Sequence, residues 1–502
     1  MIPEQAYAWL KAHSIETSYI VSAAEVLAWD QRTMIPPKGG PHRAEQIAVL
    51  AKLLHERATD RRIGDCLAAV EGSAVVADAG SPEAVNAREW RRGYDKSTRV
   101  PERLAVELAR ATAEGETVWE GAKRDDDWPR FAPILVRIVA LLVEKADALG
   151  HGGERYDALL DEYEPDTTTA EIAELFGRLR PALVNLVDRI RGAGGSPDRS
   201  PLMGSFPLDT QASFSREIVA AIGYDLEAGR VDLSAHPFTI GIGPGDVRIT
   251  TRYQEGFLGG GVFGCLHEAG HAIYEQRLPQ AHWGTPRGQV PSLGVHESQS
   301  RLWENLVGRS AGFWRFAYPK AQSAFPNLAR IPLPVFLRAI NAVDPSLIRV
   351  EADEVTYNLH ILLRFELEVE LLRGGLAVAD LPDAWEEKTR AYFGLTPPDR
   401  RSGVLQDVHW SAGLVGYFPT YTLGNLYAAQ LFAAAEAATG PLDDRFARGE
   451  FEPLLDWLAA NVHERGGTLH PRELIAAACG APPDESFFVD YLTAKHGALH
   501  GF

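Results

Sequence analysis

The stretch Cys265-Leu266-His267-Glu268-Ala269-Gly270-His271 holds two histidines four positions apart, with a glutamate directly after the first. On a helix, positions i and i+4 share a face, so both imidazoles can reach one cation. Glu268 sits one residue beyond the first histidine. It can therefore face a water on that cation without binding the cation itself. The chemistry such an HExxH pattern performs is metal-assisted hydrolysis. With 15 histidines in 502 residues, chance would supply about 0.03 such matches in this chain. The competing reading is a helix whose histidines only hydrogen-bond inside a core. Gly270, in the middle of the helix, costs up to about 1 kcal/mol relative to alanine. That cost points to close approach of another segment, either for packing or for the site.

Two histidines leave a catalytic zinc site one protein ligand short. The downstream stretch Val295-His296-Glu297-Ser298-Gln299-Ser300-Arg301-Leu302-Trp303-Glu304 offers one. Glu297 lies 26 residues beyond His271, room for a loop and a second helix, and would complete a His₂Glu set. His296, Glu304 and Glu275 are alternatives, and spacing alone does not choose among them. Cys265 precedes His267 by two positions and points to another helix face, so it reads as a small buried apolar residue.

Six short motifs now stand in a recognisable order. They are His236-Pro237-Phe238, Asp246-Val247-Arg248-Ile249-Thr250, the HExxH at 267–271, His296-Glu297-Ser298-Gln299, Ile348-Arg349-Val350-Glu351-Ala352-Asp353, and Gly403-Val404-Leu405-Gln406-Asp407-Val408-His409-Trp410. In this the chain resembles the carboxypeptidase Taq family of metallocarboxypeptidases over nearly its whole length. Softer matches lie at 29–33, 43–46 and 156–161, and Ile35 stands where the family often has methionine. The resemblance implies His267, His271 and Glu297 as metal ligands and Glu268 as general base and acid. It implies an almost wholly helical metallopeptidase fold with a small β-sheet beside a long cleft. It also implies one Zn²⁺ per chain, with Co²⁺ or another divalent ion able to substitute, and homodimers that release single C-terminal amino acids from peptides.

Residues around the ion follow from the chemistry. A donor for the developing oxyanion is expected. Related helical peptidases use a histidine and a tyrosine in similar order, which favours His409 and Tyr421, with Tyr417 close behind. A free C-terminus calls for a cation, and the arginine fork suits a carboxylate. Arg349 is the first choice and Arg248 the second, although either can instead form an ion pair within the chain, for instance with Asp353 or Asp246. Asp353 and Asp407 are candidates to accept the second ring N–H of the ligand histidines, or to cap helices. His236 and His282 read as structural. The segment 247–252 is a candidate edge strand for pairing with substrate backbone. An oligoendopeptidase or dipeptidyl carboxypeptidase on the same metal core is the alternative activity. A helical binding protein with a non-catalytic metal site is a third.

The elements that must position these groups are mostly helices. Ile172, Leu175, Phe176, Leu179, Leu183, Leu186, Val187 and Ile190 fall on one helical face, and Thr168 with Glu171 forms a capping-box pattern ahead of them. Similar stripes run through 134–142, ending near Gly150, through 359–367, and through 426–458. The best strand signal is 238–253, two β-branched runs flanking Gly243-Pro244-Gly245-Asp246, which predicts a hairpin. The Gly/Ser/Pro-rich stretch 192–207 reads as a linker between an N-terminal helical layer (1–191) and a metal-site and cleft region (208–502) within one catalytic unit, 1–502.

The 50 Lys and Arg against 68 Asp and Glu give a net charge of −18, which argues against nucleic acid and anionic membrane as partners. Three separated cysteines, Cys66, Cys265 and Cys479, support neither disulfides nor a thiolate zinc site. The first residues lack a basic end followed by an apolar run, and no apolar stretch reaches 18 residues, so a reduced, cytoplasmic protein is expected.

Overall fold

A computed structural model of the chain describes residues 1–193 and 198–502. Helices come first: α1 (Pro3–Thr33), α2 (Gly40–Ala58), α3 (Arg61–Val70), α4 (Pro82–Arg99), α5 (Glu102–Asp125), α6 (Trp128–Leu149), α7 (Arg155–Leu160), α8 (Thr169–Gly192) and α9 (Leu208–Ala221). Three short strands follow: β1 (Val231–Leu233), β2 (Thr239–Gly243) and β3 (Asp246–Thr251). The rest is again helical: α10 (Gly259–Gln276), α11 (Leu293–Arg301), α12 (Ala311–Ala324), α13 (Leu333–Ile340), α14 (Tyr357–Arg373), α15 (Leu381–Phe393), α16 (Pro419–Thr439), α17 (Leu442–Phe446), α18 (Glu452–Asn461), α19 (Pro471–Cys479) and α20 (Ser486–His500). The architecture is therefore helical with one small sheet, as expected. No described helix is long and apolar enough to cross a membrane.

Local chemistry explains where the helices begin and which face they bury. The Thr168–Glu171 capping box is formed, and all eight apolar residues of the stripe on α8 are buried. The stripe of α6 is buried too, and the helix stops at Gly150, whose φ of 86° few other residues would adopt. On α14 nearly every side chain is inside, and only Glu366, Glu370 and Arg373, on one face of its C-terminal half, reach solvent.

The predicted hairpin is β2 and β3, antiparallel with Ile240 opposite Arg248, and Gly245 at φ 82° makes the turn. β1 pairs with β3 in parallel, giving the order β1-β3-β2. This corrects one expectation. The 247–252 segment is the central strand, hydrogen-bonded on both sides, and has no free edge for a substrate. The outer strand beside α10 is β2.

One continuous apolar core extends from Leu104 to Leu492, and a smaller separate one joins α1, α3 and α4 through Leu10, Ile63, Leu67, Val70 and Ala87. The main core draws on helices before and after 192–207. Residues 194–197 of that stretch lie outside the described residues, whereas Leu202 and Phe206 are buried. α10 runs through this core between the sheet and α11. A Cβ on Gly270 would lie 2.5 Å from the Gln299 carbonyl oxygen and 2.7 Å from the Ser300 Cα. Gly270 therefore exists for the close crossing of α10 and α11.

Candidate metal centre

That crossing brings His267 and His271 of α10 against Glu297 of α11. Glu297 Oε2 is 3.6 Å from His267 Nε2 and 3.4 Å from His271 Nε2. Among the described residues this is the only trio of histidine, cysteine and carboxylate donors gathered so closely, within 4.8 Å of one another. α16 closes the third side. A Cβ on Gly424 would lie 2.5 Å from Glu297 Cγ, so only glycine lets α16 press the carboxylate toward the histidines.

Each donor is oriented from behind. His271 Nδ1 is 3.0 Å from the His296 carbonyl oxygen. A carbonyl only accepts, so the proton sits on Nδ1 and the Nε2 lone pair faces the centre. His267 Nδ1 is 2.9 Å from Glu304 Oε2, with the same consequence. Arg301 Nε donates to Glu297 Oε1 at 2.7 Å, and Ser300 Oγ donates to Oε2 at 2.9 Å. Of the two roles the sequence offers Asp353 and Asp407, neither residue orients a histidine; only the helix-cap alternative holds, for Asp353. Asp353 accepts from the Val355 and Thr356 amides and caps the entry to α14. Asp407 pairs with Arg349 and Arg364. Glu304, a candidate ligand by sequence, instead lies behind His267. Its real signal was the i, i+4, i+7 spacing of Glu297, Arg301 and Glu304, which puts all three on one face. Glu304 lies in a π-helical turn, Leu302–Val307, that continues α11.

The electrostatics fit a cation. Burial pulls the His267 imidazole down, but Glu297 and Glu304 outweigh it and hold its pKa up at about 9. Burial would raise Glu304, yet His267 and Arg301 bring it down to about 2. Arg301 and His267 likewise hold Glu297 well below the ordinary carboxylate range against its burial. Burial and the stacked His296 push His271 down to about 3. One ionised carboxylate, Glu297, thus faces the Nε2 atoms of two imidazoles in a buried pocket, and Glu304 backs His267 from its Nδ1 side; that concentration of negative charge suits a divalent cation, which would take the place of the His267 proton.

Glu268 turns the other way, toward β2. Its carboxylate is 2.7 Å from Thr239 Oγ1, which also lies 2.9 Å from the Glu268 carbonyl. Burial raises its pKa. Glu268 is only 7% exposed, and the exposed edge opens into a cavity of about 300 Å³ shared with Phe238, Thr239, His271, Tyr417 and Tyr421. Thr239 was not anticipated, because its contact with Glu268 is purely tertiary.

Tyr417 and Tyr421 both line the cavity, with ring centroids 5.2 Å apart. His409 stands behind them, its Nε2 3.3 Å from the Tyr421 hydroxyl, and burial lowers its pKa to about 4. Neither arginine candidate is among the cavity-lining residues. Arg248 is bound through two nitrogens to Asp246 and lies over Trp29. Arg349 is buried, gives Nε and Nη2 to Asp407 Oδ1, and gives Nη1 to the Tyr357 hydroxyl. Asp407 also receives Arg364. The group carries two cations against one carboxylate, and Arg349 lies 5.3 Å from the Tyr421 ring centroid. His236 is exposed on the approach to β2.

Comparison with known proteins agrees over the full length. Residues 9–496 match the model of the carboxypeptidase Taq (M32) metallopeptidase family. The chain is 56% identical to thermostable carboxypeptidase 1 of Thermus thermophilus, covering 100% of both chains. It is 37% identical to carboxypeptidase 1 of Bacillus subtilis over 96% of each. A crystal structure of the M32 carboxypeptidase from Deinococcus radiodurans R1 superposes with a TM-score of 0.96 at 39% identity, covering 99% of this chain and 100% of that one.

Proposed function

Because this chain belongs to the carboxypeptidase Taq (M32) metallopeptidase family and is a metallocarboxypeptidase, we propose that it releases single C-terminal amino acids from peptides, with Zn²⁺ held by His267, His271 and Glu297. The observation that carries the ligand assignment is the meeting of those three donors, each tied from behind so that its free lone pair faces the others. Co²⁺ or another divalent ion would fit the same set.

An ion held by His267, His271 and Glu297 would supply Lewis acidity toward the scissile carbonyl and would lower the pKa of water from 15.7 to about 7. Glu268 accepts the proton of the attacking water and returns it to the leaving amine. Its burial supports this role, since a carboxylate with a raised pKa is a readier proton shuttle. The Thr239 hydroxyl keeps the carboxylate aimed at the cavity. Tyr421 donates to the developing oxyanion, and a His409 Nε2–H bonded to the phenol oxygen leaves the Tyr421 proton free for that purpose. Tyr417 is the neighbouring alternative. For the terminal carboxylate, Arg349 is the favoured cation. Arg349 and Arg364 share one counter-ion, so positive charge is left beside Tyr421. Arg248, satisfied by Asp246, is the lesser candidate. We further propose a cytoplasmic homodimer acting on peptides with a free C-terminus, without nucleic acid or membrane as partner.

The test is removal of the metal with a chelator, assayed on an N-blocked dipeptide. Activity should vanish and return with Zn²⁺ or Co²⁺. Full activity after complete demetallation would overturn the assignment. On longer peptides, single residues should be released in sequence from the C-terminus. Internal cuts or dipeptide release would instead point to an oligoendopeptidase or a dipeptidyl carboxypeptidase.

A further inference from the structure

The segment Tyr156–Glu164 contains a motif that the metal chemistry leaves unused, yet it binds five other elements. Tyr156 donates to Glu368 of α14 at 2.8 Å. Asp157 accepts from the Thr169 amide of α8 at 2.6 Å. Asp161 pairs with Arg92 and Lys96 of α4. The Tyr163 ring packs edge-on against Tyr417, with centroids 5.2 Å apart. The last two residues reach α11. The Tyr163 carbonyl accepts from the Leu293 amide at 3.0 Å, and Glu164 Oε2 accepts from the Gly294 amide at 3.0 Å.

Glu164 is fully buried. Its other oxygen accepts from the Tyr427 hydroxyl of α16 at 2.9 Å. Both donors are uncharged, and burial pushes the Glu164 pKa up to about 7. A buried carboxyl group without a cation beside it is an expensive way to fill space. Its placement is specific. It sits at the positive end of α11, on the amide of Gly294, which is three residues before Glu297. A Cβ on Gly294 would lie 2.6 Å from Glu164 Oε2, so the first turn of α11 presses directly on the carboxylate. Helix α11 has only nine residues, and so short a helix takes its position from its tertiary contacts. α16 acts on it at two points one turn apart: Gly424 packs directly on Glu297, and Tyr427 holds Glu164, which in turn bonds the Gly294 amide.

We propose that Glu164 is a positioning residue, which joins the first turn of α11 to Tyr427 and so sets where Glu297 meets His267 and His271. The inference rests on the reading of those three residues as the metal-holding group. In a Glu164→Gln variant the amide oxygen can still accept from the Gly294 amide, but the amide nitrogen must donate to the Tyr427 hydroxyl, so the bond to α16 is reversed and the negative charge at the start of α11 is lost. The readout is Co²⁺ titration of the demetallated protein, followed by visible absorption and by competition with a chelator. Glu164→Gln should weaken Co²⁺ binding by about tenfold or more, change the absorption spectrum, and lower kcat with KM nearly unchanged. Tyr427→Phe should weaken Co²⁺ binding by about threefold. Should Glu164→Gln not fold, Tyr427→Phe decides by the same measurement. Affinity and spectrum equal to wild type in the folded variant, with only a lower Tm, would reduce Glu164 to a structural residue and overturn the proposal. A wild-type protein that takes up no Co²⁺ would instead overturn the metal assignment itself.

Discussion

Replacing Gly270 with alanine sets two effects against each other. Alanine in a helix interior is favoured over glycine by up to about 1 kcal/mol, so a helix free of neighbours would gain stability. Here the new Cβ would lie 2.5 Å from the Gln299 oxygen and 2.7 Å from the Ser300 Cα, both backbone atoms that cannot rotate away. Restoring ordinary contact requires α10 and α11 to part by about 0.9 Å. Overpacking of this kind costs about 1–3 kcal/mol, so the expected net effect is a loss of about 1 kcal/mol. The site is hit harder than the fold. Glu297 lies two residues from Gln299, and metal–ligand distances tolerate only about 0.2 Å. Chelator competition with Co²⁺ or Zn²⁺ should show affinity reduced by at least about tenfold, with thermal unfolding of the metal-free protein changed little. If Gly270→Ala were more stable than wild type and bound metal equally well, the close crossing would not be what locates Glu297.

Glu268→Gln should keep metal stoichiometry but lose about 10²–10⁴ in kcat; a variant within tenfold of wild type would remove the proton-transfer role. Tyr421→Phe should lower kcat by about 10²-fold with little change in KM, and wild-type kinetics would shift the oxyanion role to Tyr417. Arg349→Ala should lose activity selectively on substrates with a free C-terminal carboxylate; equal loss on amidated substrates would mark Arg349 as purely structural. At Asp161, burial raises the pKa, but Arg92 and Lys96 outweigh it and hold the carboxylate at about 2. Its folded pKa is depressed, so its stabilisation is present above about pH 4 and is lost as pH falls toward 2. Asp161→Asn should therefore be less stable than wild type at pH 7 by about 1–2 kcal/mol. The gap in urea midpoints should narrow between pH 5 and 3, and a constant gap would contradict the linkage.

Much of the fold was legible along the chain. The stripe at 172–190, the Thr168–Glu171 cap and the stop at Gly150 are local, because helical period and capping depend on residues within one or two turns. The hairpin was readable for the same reason, whereas the place of β3 between β1 and β2 was not, since strand order depends on pairing across the sheet. In the metal centre, the spacing of His267 and His271 dictated a shared helix face, and with it the location of Glu268.

What only the folded chain decided lies at greater sequence separation. Choosing Glu297 over His296, Glu304 and Glu275 takes the crossing of α10 and α11, which Gly270 permits, and the pressure of α16 through Gly424. The partners behind the histidines were likewise out of reach of motif position, which offered Asp353 and Asp407 either for that role or as helix caps. Asp353 and Asp407 were drawn into a helix cap and a paired-arginine cluster, while Glu304 and a backbone carbonyl took the histidines. The physical reason is one throughout. A helical turn fixes which side chains share a face, but which faces meet is settled by packing among elements far apart in sequence, and a metal site forms only where such faces converge.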